Sequence, residues 1–136
     1  MVNPLKFRKR ILIVDDEPLV RELLSETLKV GGYEVLIAAG GYEALEQAQT
    51  GQPDLILLDV MMPGLDGWKV LEKLRLNTRT RTIPVAMFTA RGDTDSMMRA
   101  QELKVLDYFI KPINPEELLS FVRRYVELRP DEDRKL

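Results

Sequence analysis

The chain contains no cysteine and no histidine. Without cysteine there are no disulfides, no thiolate nucleophiles and no zinc–sulfur sites. Without histidine, Ser–His hydrolysis, imidazole metal ligands and a phosphohistidine carried on this chain are all excluded. Chemistry is left to carboxylates, Lys, Thr or Ser, Tyr, backbone groups and hard cations. Long apolar runs are missing too, and the longest are far too short to cross a bilayer. The basic stretch at residues 1–10 is followed only by the apolar residues 11–14, a strand rather than a signal-peptide core. A cytoplasmic protein without membrane association is expected. Lys and Arg total 20 against 22 Asp and Glu, a net charge of −2, so nothing points to direct nucleic-acid binding. At 136 residues and 45% hydrophobic, the chain suits one ordinary domain with a core of its own.

What is present is an alternation of short apolar runs with helical stretches, the pattern of a parallel sheet in an α/β fold. Strands are predicted at 11–14, 34–39, 55–58, 83–88 and 105–110. The first helix is predicted over 18–30, with Leu19, Val20, Leu23, Leu24, Thr27 and Leu28 on one face and Gly31-Gly32 as its stop. Further helices are expected over 42–50, 68–76 and 93–103. The last helix begins at Pro115, with Asn114 as N-cap and Glu116 and Glu117 in its first turn. Five strands and five helices in strict alternation make a doubly wound five-stranded parallel sheet. Residues 1–9 read as an arm in which Lys6, Arg8, Lys9 and, just beyond it, Arg10 are solvated; 10–127 read as the domain, and 128–136 as a charged tail or the start of a linker.

In such sheets ligands bind outside the carboxyl ends of the strands. Asp15 and Asp16 follow the first strand, Asp59 the third, Thr89 the fourth and Lys111 the fifth. Each position alone has an ordinary explanation: a helix N-terminal acid, a turn residue, a strand end, a solvated lysine. Their joint arrangement at one edge does not. Crowded carboxylates repel one another, and desolvation adds to the strain. A hard divalent cation offsets this, Mg²⁺ above all, since it takes a few carboxylate oxygens plus water. Lys111 supplies a second, fixed positive charge. A carboxylate can attack phosphorus to give an aspartyl phosphate, and such transfer needs charge neutralisation and positioning more than proton transfer. Thr89 offers a hydroxyl donor to a phosphoryl oxygen.

The segments ILIVDDEP, PDLILLDVMMPGLDG, IPVAMFTA and YFIKP, in this order, closely resemble those of response-regulator receiver domains, a likeness that covers about residues 8–127. The resemblance implies the flavodoxin-like or CheY-like strand order 2-1-3-4-5. It implies a phosphorelay module in which a sensor histidine kinase, or a histidine phosphotransfer protein, donates a phosphoryl group to Asp59. Mg²⁺, with Mn²⁺ as a workable substitute, would be held by Asp15, Asp16, Asp59 and the Met61 backbone carbonyl. Lys111, Thr89, Ala90 and Tyr108 would form the phosphoryl-binding and switch set, with Ala90 leaving room for Thr89 to move. Lys111-Pro112 would be a cis bond. Met61 and Arg91 flank the site at positions that tune dephosphorylation. The fourth-helix, fifth-strand and fifth-helix face would carry the signal to an effector or an output domain. The resemblance is imperfect before the fifth strand, where Lys104-Val105 replaces the family's Gly-Ala.

Three rival readings share parts of this pattern. A flavin-binding flavodoxin needs a phosphate loop after the first strand, but Asp15-Asp16-Glu17-Pro18 repels phosphate. A dehalogenase-type phosphatase places a second Asp two residues after its nucleophile, where this chain has Met61. The chain is therefore expected to be a phosphoacceptor, capable at most of self-phosphorylation and slow autodephosphorylation. The third is a receiver-like interaction module that works without phosphorylation, disfavoured because every site residue is present.

Overall fold

In the computed structural model, the runs Ile11–Val14, Leu55–Leu58 and Val85–Phe88 are shut off from solvent on both faces of a parallel sheet, which is why they read as continuous apolar stretches rather than alternating ones. The model describes residues 8–90 and 94–127, except the side chains of 94–96 and 127. The strands are β1 (Arg10–Val14), β2 (Glu34–Ala38), β3 (Leu55–Asp59), β4 (Val85–Thr89) and β5 (Tyr108–Ile110), and the helices are α1 (Pro18–Val30), α2 (Gly41–Gly51), α3 (Gly67–Leu76), α4 (Thr94–Glu102) and α5 (Pro115–Glu127). All pairings are parallel, in the order β2-β1-β3-β4-β5. The doubly wound five-stranded sheet expected from the sequence is present.

Alternate residues of each strand feed two cores. Leu12, Val14, Ile56, Leu58, Val85 and Met87 pack with Ala44 and Ala48 of α2, Leu71 and Leu74 of α3, and Ala100 of α4. Ile11, Ile13, Leu55, Leu57 and Phe88 pack with Leu24 and Leu28 of α1 and Leu118, Phe121 and Val122 of α5. Caps act as the sequence indicates: Asp66 accepts the Lys69 N–H at 2.9 Å at the start of α3, and Asn114 accepts the Glu116 and Glu117 N–H groups at 2.8 and 3.3 Å before α5.

Some expectations are corrected. The apolar face of α1 is narrower than predicted: Leu24 and Leu28 are buried, whereas Leu19 and Leu23 are 79% and 52% exposed. Arg10 is no solvated arm residue. Its backbone N–H donates to Asp54 at 2.7 Å, and its guanidinium meets the Gly51 carbonyl at 2.5 Å and Glu34 at 3.2 Å, fastening the starts of three strands. β4 begins at Val85 rather than residue 83, because Ile83 closes a turn on the Thr80 carbonyl at 3.1 Å and Pro84 has no N–H to give. β5 is shorter than predicted because Val105 is taken up in closing α4, donating to the Ala100 carbonyl at 3.0 Å. The predicted start of the fourth helix at Asp93, the arm at residues 1–7 and the tail at 128–136 lie outside the described residues.

The Lys104-Val105 departure has a backbone consequence. Lys104 sits at φ 56°, the left-handed conformation that terminates helices and favours glycine. A side chain there costs roughly 1 kcal/mol. Lys104→Gly is expected to raise stability by about 0.5–1 kcal/mol, read as a higher urea midpoint with an unchanged slope.

Candidate functional site

The carboxyl ends of β1, β3, β4 and β5 converge on one acidic edge. Asp15, directly after β1, is fully buried. Three hydrogen bonds lock it in place: its N–H donates to the Ala38 carbonyl at 3.2 Å, its Oδ1 accepts the Glu17 N–H at 2.8 Å, and its carbonyl accepts Arg21 at 2.8 Å. Asp59, the last residue of β3, is 1% exposed, and its Oδ1 accepts the Met61 N–H at 3.3 Å. Gly67 holds the loop beyond it. A Cβ at Gly67 would collide with the Asp59 carbonyl oxygen and lie 2.8 Å from the Val60 Cα, so the start of α3 rests directly on the backbone of Asp59.

Lys111 balances the charge. Its Nζ lies 2.9 Å from Asp15 Oδ2, 3.3 Å from Asp59 Oδ2 and 3.9 Å from Glu17 Oε1, and 5.3 Å from the centre of the Phe88 ring. Its backbone N–H donates to the Thr89 carbonyl at 2.7 Å, tying the fifth strand's end to the fourth's. The Lys111-Pro112 bond is cis. Burial would lower the lysine's pKa, but Asp15 and Asp59 overcome this and raise it. Asp59 moves the other way from an ordinary carboxylate: burial, with Asp15 adding repulsion, raises it from 3.8 to about 6 despite the opposing pull of Lys111.

Carboxylate oxygens of Asp15, Asp16 and Asp59 lie within 4.8 Å of one another. Asp15 Oδ2 is buried and accepts no hydrogen bond of sound geometry, so it depends on the ammonium beside it. Oxygen-only donors, excess negative charge and an under-satisfied buried oxygen fit a hard divalent cation such as Mg²⁺.

Thr89 is buried at the end of β4, one residue beyond the Asp59–Phe88 pairing. Ala90 and the Met61 side chain are exposed, Met61 on the loop after Asp59. Arg91 lies outside the described residues. Tyr108 stands on β5, opposite Met87, and packs into the α2–α4 side of the core. Two partners escaped the sequence reading. Glu17 was legible only as a helix N-terminal acid, although it reaches Lys111, and nothing in the pattern marked Phe88 as the ring beneath that lysine.

Residues 11–123 match the family model of the response regulator receiver domain. Over 114 residues the chain is 42% identical to the DNA-binding dual master transcriptional regulator RpaA of Synechocystis, a span of 84% of this chain and 47% of that protein. It is 38% identical over 126 residues to the DNA-binding response regulator MtrA of Mycolicibacterium smegmatis, covering 93% of this chain and 53% of that one. The chain spans about half the length of these curated relatives. Among solved structures, the chemotaxis protein CheY4 of Vibrio cholerae superposes with a TM-score of 0.81 at 33% identity, covering 86% of this chain and 98% of that chain.

The raised Asp59 pKa has a definite sign. Between about 4 and about 6 the folded chain binds more protons than the unfolded one, so stability falls as pH rises through that window, and the penalty is complete above it. The full shift is worth roughly 3 kcal/mol, reduced to about 1–2 kcal/mol because the edge adjoins solvent. With chelator present, Asp59→Asn should therefore melt roughly 3–6 °C above wild type near pH 7.5 and lose that advantage near pH 4. Thermal melts at the two pH values check this; equal melting temperatures at the higher pH would contradict it.

Proposed function

The chain belongs to the family of response regulator receiver domains, and from that premise we propose that Asp59 is its phosphoacceptor within a domain spanning residues 10–127. The supporting observation is the contact of Lys111 with both Asp15 and Asp59, which sets a fixed cation beside a carboxylate whose pKa of about 6 leaves it ionised at neutral pH. An Asp59 oxygen would attack phosphorus as the phosphorus–nitrogen bond of a partner's phosphohistidine breaks, and the imidazole would leave with a proton from solvent. Lys111 would bind an equatorial phosphoryl oxygen, and the Thr89 hydroxyl would donate to another. Asp15, Asp16, Asp59 and the Met61 carbonyl would hold Mg²⁺ or Mn²⁺. When bound, that ion supplies charge neutralisation and alignment for the transferring group. No proton-transfer residue stands two positions after Asp59, so turnover as a phosphatase is not proposed.

Partners follow from the surfaces. An apolar hollow of about 340 Å³ lies next to Lys111, lined by Glu17, Val20, Leu23, Leu24, Pro112 and Ile113. Leu23 in that lining is half exposed, and the exposed Leu19 stands one turn before it on α1, an apolar approach suited to a donor kinase or phosphotransfer protein. Met97, Met98 and Ile110, each more than half exposed, put apolar surface on the face of α4, β5 and α5 for an effector or an output domain. RpaA and MtrA are named as DNA-binding proteins and are about twice as long as the matched region. Any such activity is therefore assigned to a further domain and not to this acidic chain. No described helix is long and apolar enough to cross a membrane, and a cytoplasmic setting suits a kinase-fed module.

Incubation with a small acyl-phosphate donor and Mg²⁺ is expected to add one phosphoryl mass to the wild-type chain. None should be added to Asp59→Asn or after chelation. An adduct on Asp59→Asn would overturn the assignment.

A further inference from the structure

Trp68, the chain's single tryptophan, stands in the first turn of α3 and is 5% exposed. Its indole lies nearly parallel to the Tyr108 ring, with planes 15° apart and centroids 6.3 Å apart. The Arg99 guanidinium of α4 sits 5.2 Å from the same indole, and Arg99 also reaches back to Glu72 of α3 at 3.6 Å. Ala100, the next residue of α4, is buried in the core that contains Trp68. One side chain thus touches an aromatic from β5 and a cation from α4.

The register links this group to the acidic edge. Tyr108 pairs with Met87, and Thr89 pairs with Ile110. Strand alternation therefore puts Tyr108 and Thr89 on the same side of the sheet, the side covered by α3 and α4. They are diagonal neighbours there, within reach of an aromatic side chain, so a displacement of Thr89 would change the space open to Tyr108, and a Tyr108 ring that moved would leave Trp68. An indole that loses its stack also changes what it offers the guanidinium above it.

We propose that Trp68 is a positioning residue for the switch: it docks the Tyr108 ring against α3 and, through Arg99, ties the position of that ring to α4. The proposal rests on Asp59 being the phosphoacceptor. Stacking and cation–π contacts of this kind change a two-state equilibrium by roughly three- to ten-fold.

The test uses the whole chain with an acyl-phosphate donor and Mg²⁺, following adduct mass, tryptophan emission and amide exchange in Thr94–Glu102 on the same samples. Absence of an adduct would overturn the phosphoacceptor reading, and this proposal with it. With an adduct formed, the proposal expects Trp68 emission and its quenching by acrylamide to change, and amide exchange in α4 to change alongside. An adduct with neither change would overturn the coupling alone. At equal adduct occupancy, Tyr108→Leu should lose most of the emission change; its persistence would overturn the docking. Trp68→Leu, checked for folding by circular dichroism, should reduce the phosphorylation-linked exchange difference in α4 by at least about three-fold, and Trp68→Phe, which keeps a ring to stack, should restore much of it. An undiminished difference in Trp68→Leu would show that Trp68 only fills space. If Trp68→Leu does not fold, Trp68→Phe alone decides, since the proposal requires an intermediate exchange difference and a full one would overturn it.

Discussion

Two buried carboxylates share a single lysine at the carboxyl edge of the sheet, with Asp16 close beside them, and most features of the molecule answer to that imbalance. Asp15 and Asp59 are almost wholly removed from water, and both contact Lys111. A buried charge without compensation is among the most destabilising features a fold can carry. The chain compensates in part, with backbone N–H donors to Asp15 and Asp59 and with Lys111 itself. The remainder keeps Asp59 well above the ordinary carboxylate range and leaves the edge with excess negative charge of the kind a hard cation would offset.

The acidic edge is closely packed along β1, β3 and β4 and more open at β5 and α4. β1, β3 and β4 are buried on both faces, and Gly67 brings α3 against the Asp59 backbone closely enough to exclude any side chain. β5, by contrast, has three residues, lies at the margin of the sheet and ends in an exposed Ile110. α4 shows two exposed methionines and closes through a left-handed lysine instead of a glycine. A local charge event can bias the weakly held elements without disturbing the strongly held ones.

Much of the architecture was legible because both of its periodicities are strong. Continuous apolar runs such as Leu55–Leu58 announce strands buried on both faces, and Asn114-Pro115 announces a helix start. Element edges were less legible where a residue had two possible uses. Val105 suits a strand by its side chain, yet its N–H closes α4; Ile83 suits β4, yet its N–H closes a turn. The α1 face was overestimated because spacing shows which residues share a face and not how far a neighbouring element covers them. Leu19 and Leu23 share the spacing of Leu24 and Leu28 and remain in solvent.

By itself the sequence determined the fold class, the strand ends that carry Asp15, Asp16, Asp59, Thr89 and Lys111, and the confinement of the chemistry to oxygen ligands and a lysine. These follow from local pattern and from which side chains exist at all. Only the tertiary structure decided how far each carboxylate is buried, that Lys111 bridges Asp15 and Asp59 with Glu17 and Phe88 beside it, and that Trp68 meets both Tyr108 and Arg99. Desolvation, ion pairing and ring contacts arise between residues far apart in the chain, and their strength depends on distances that only the packed sheet and helices set.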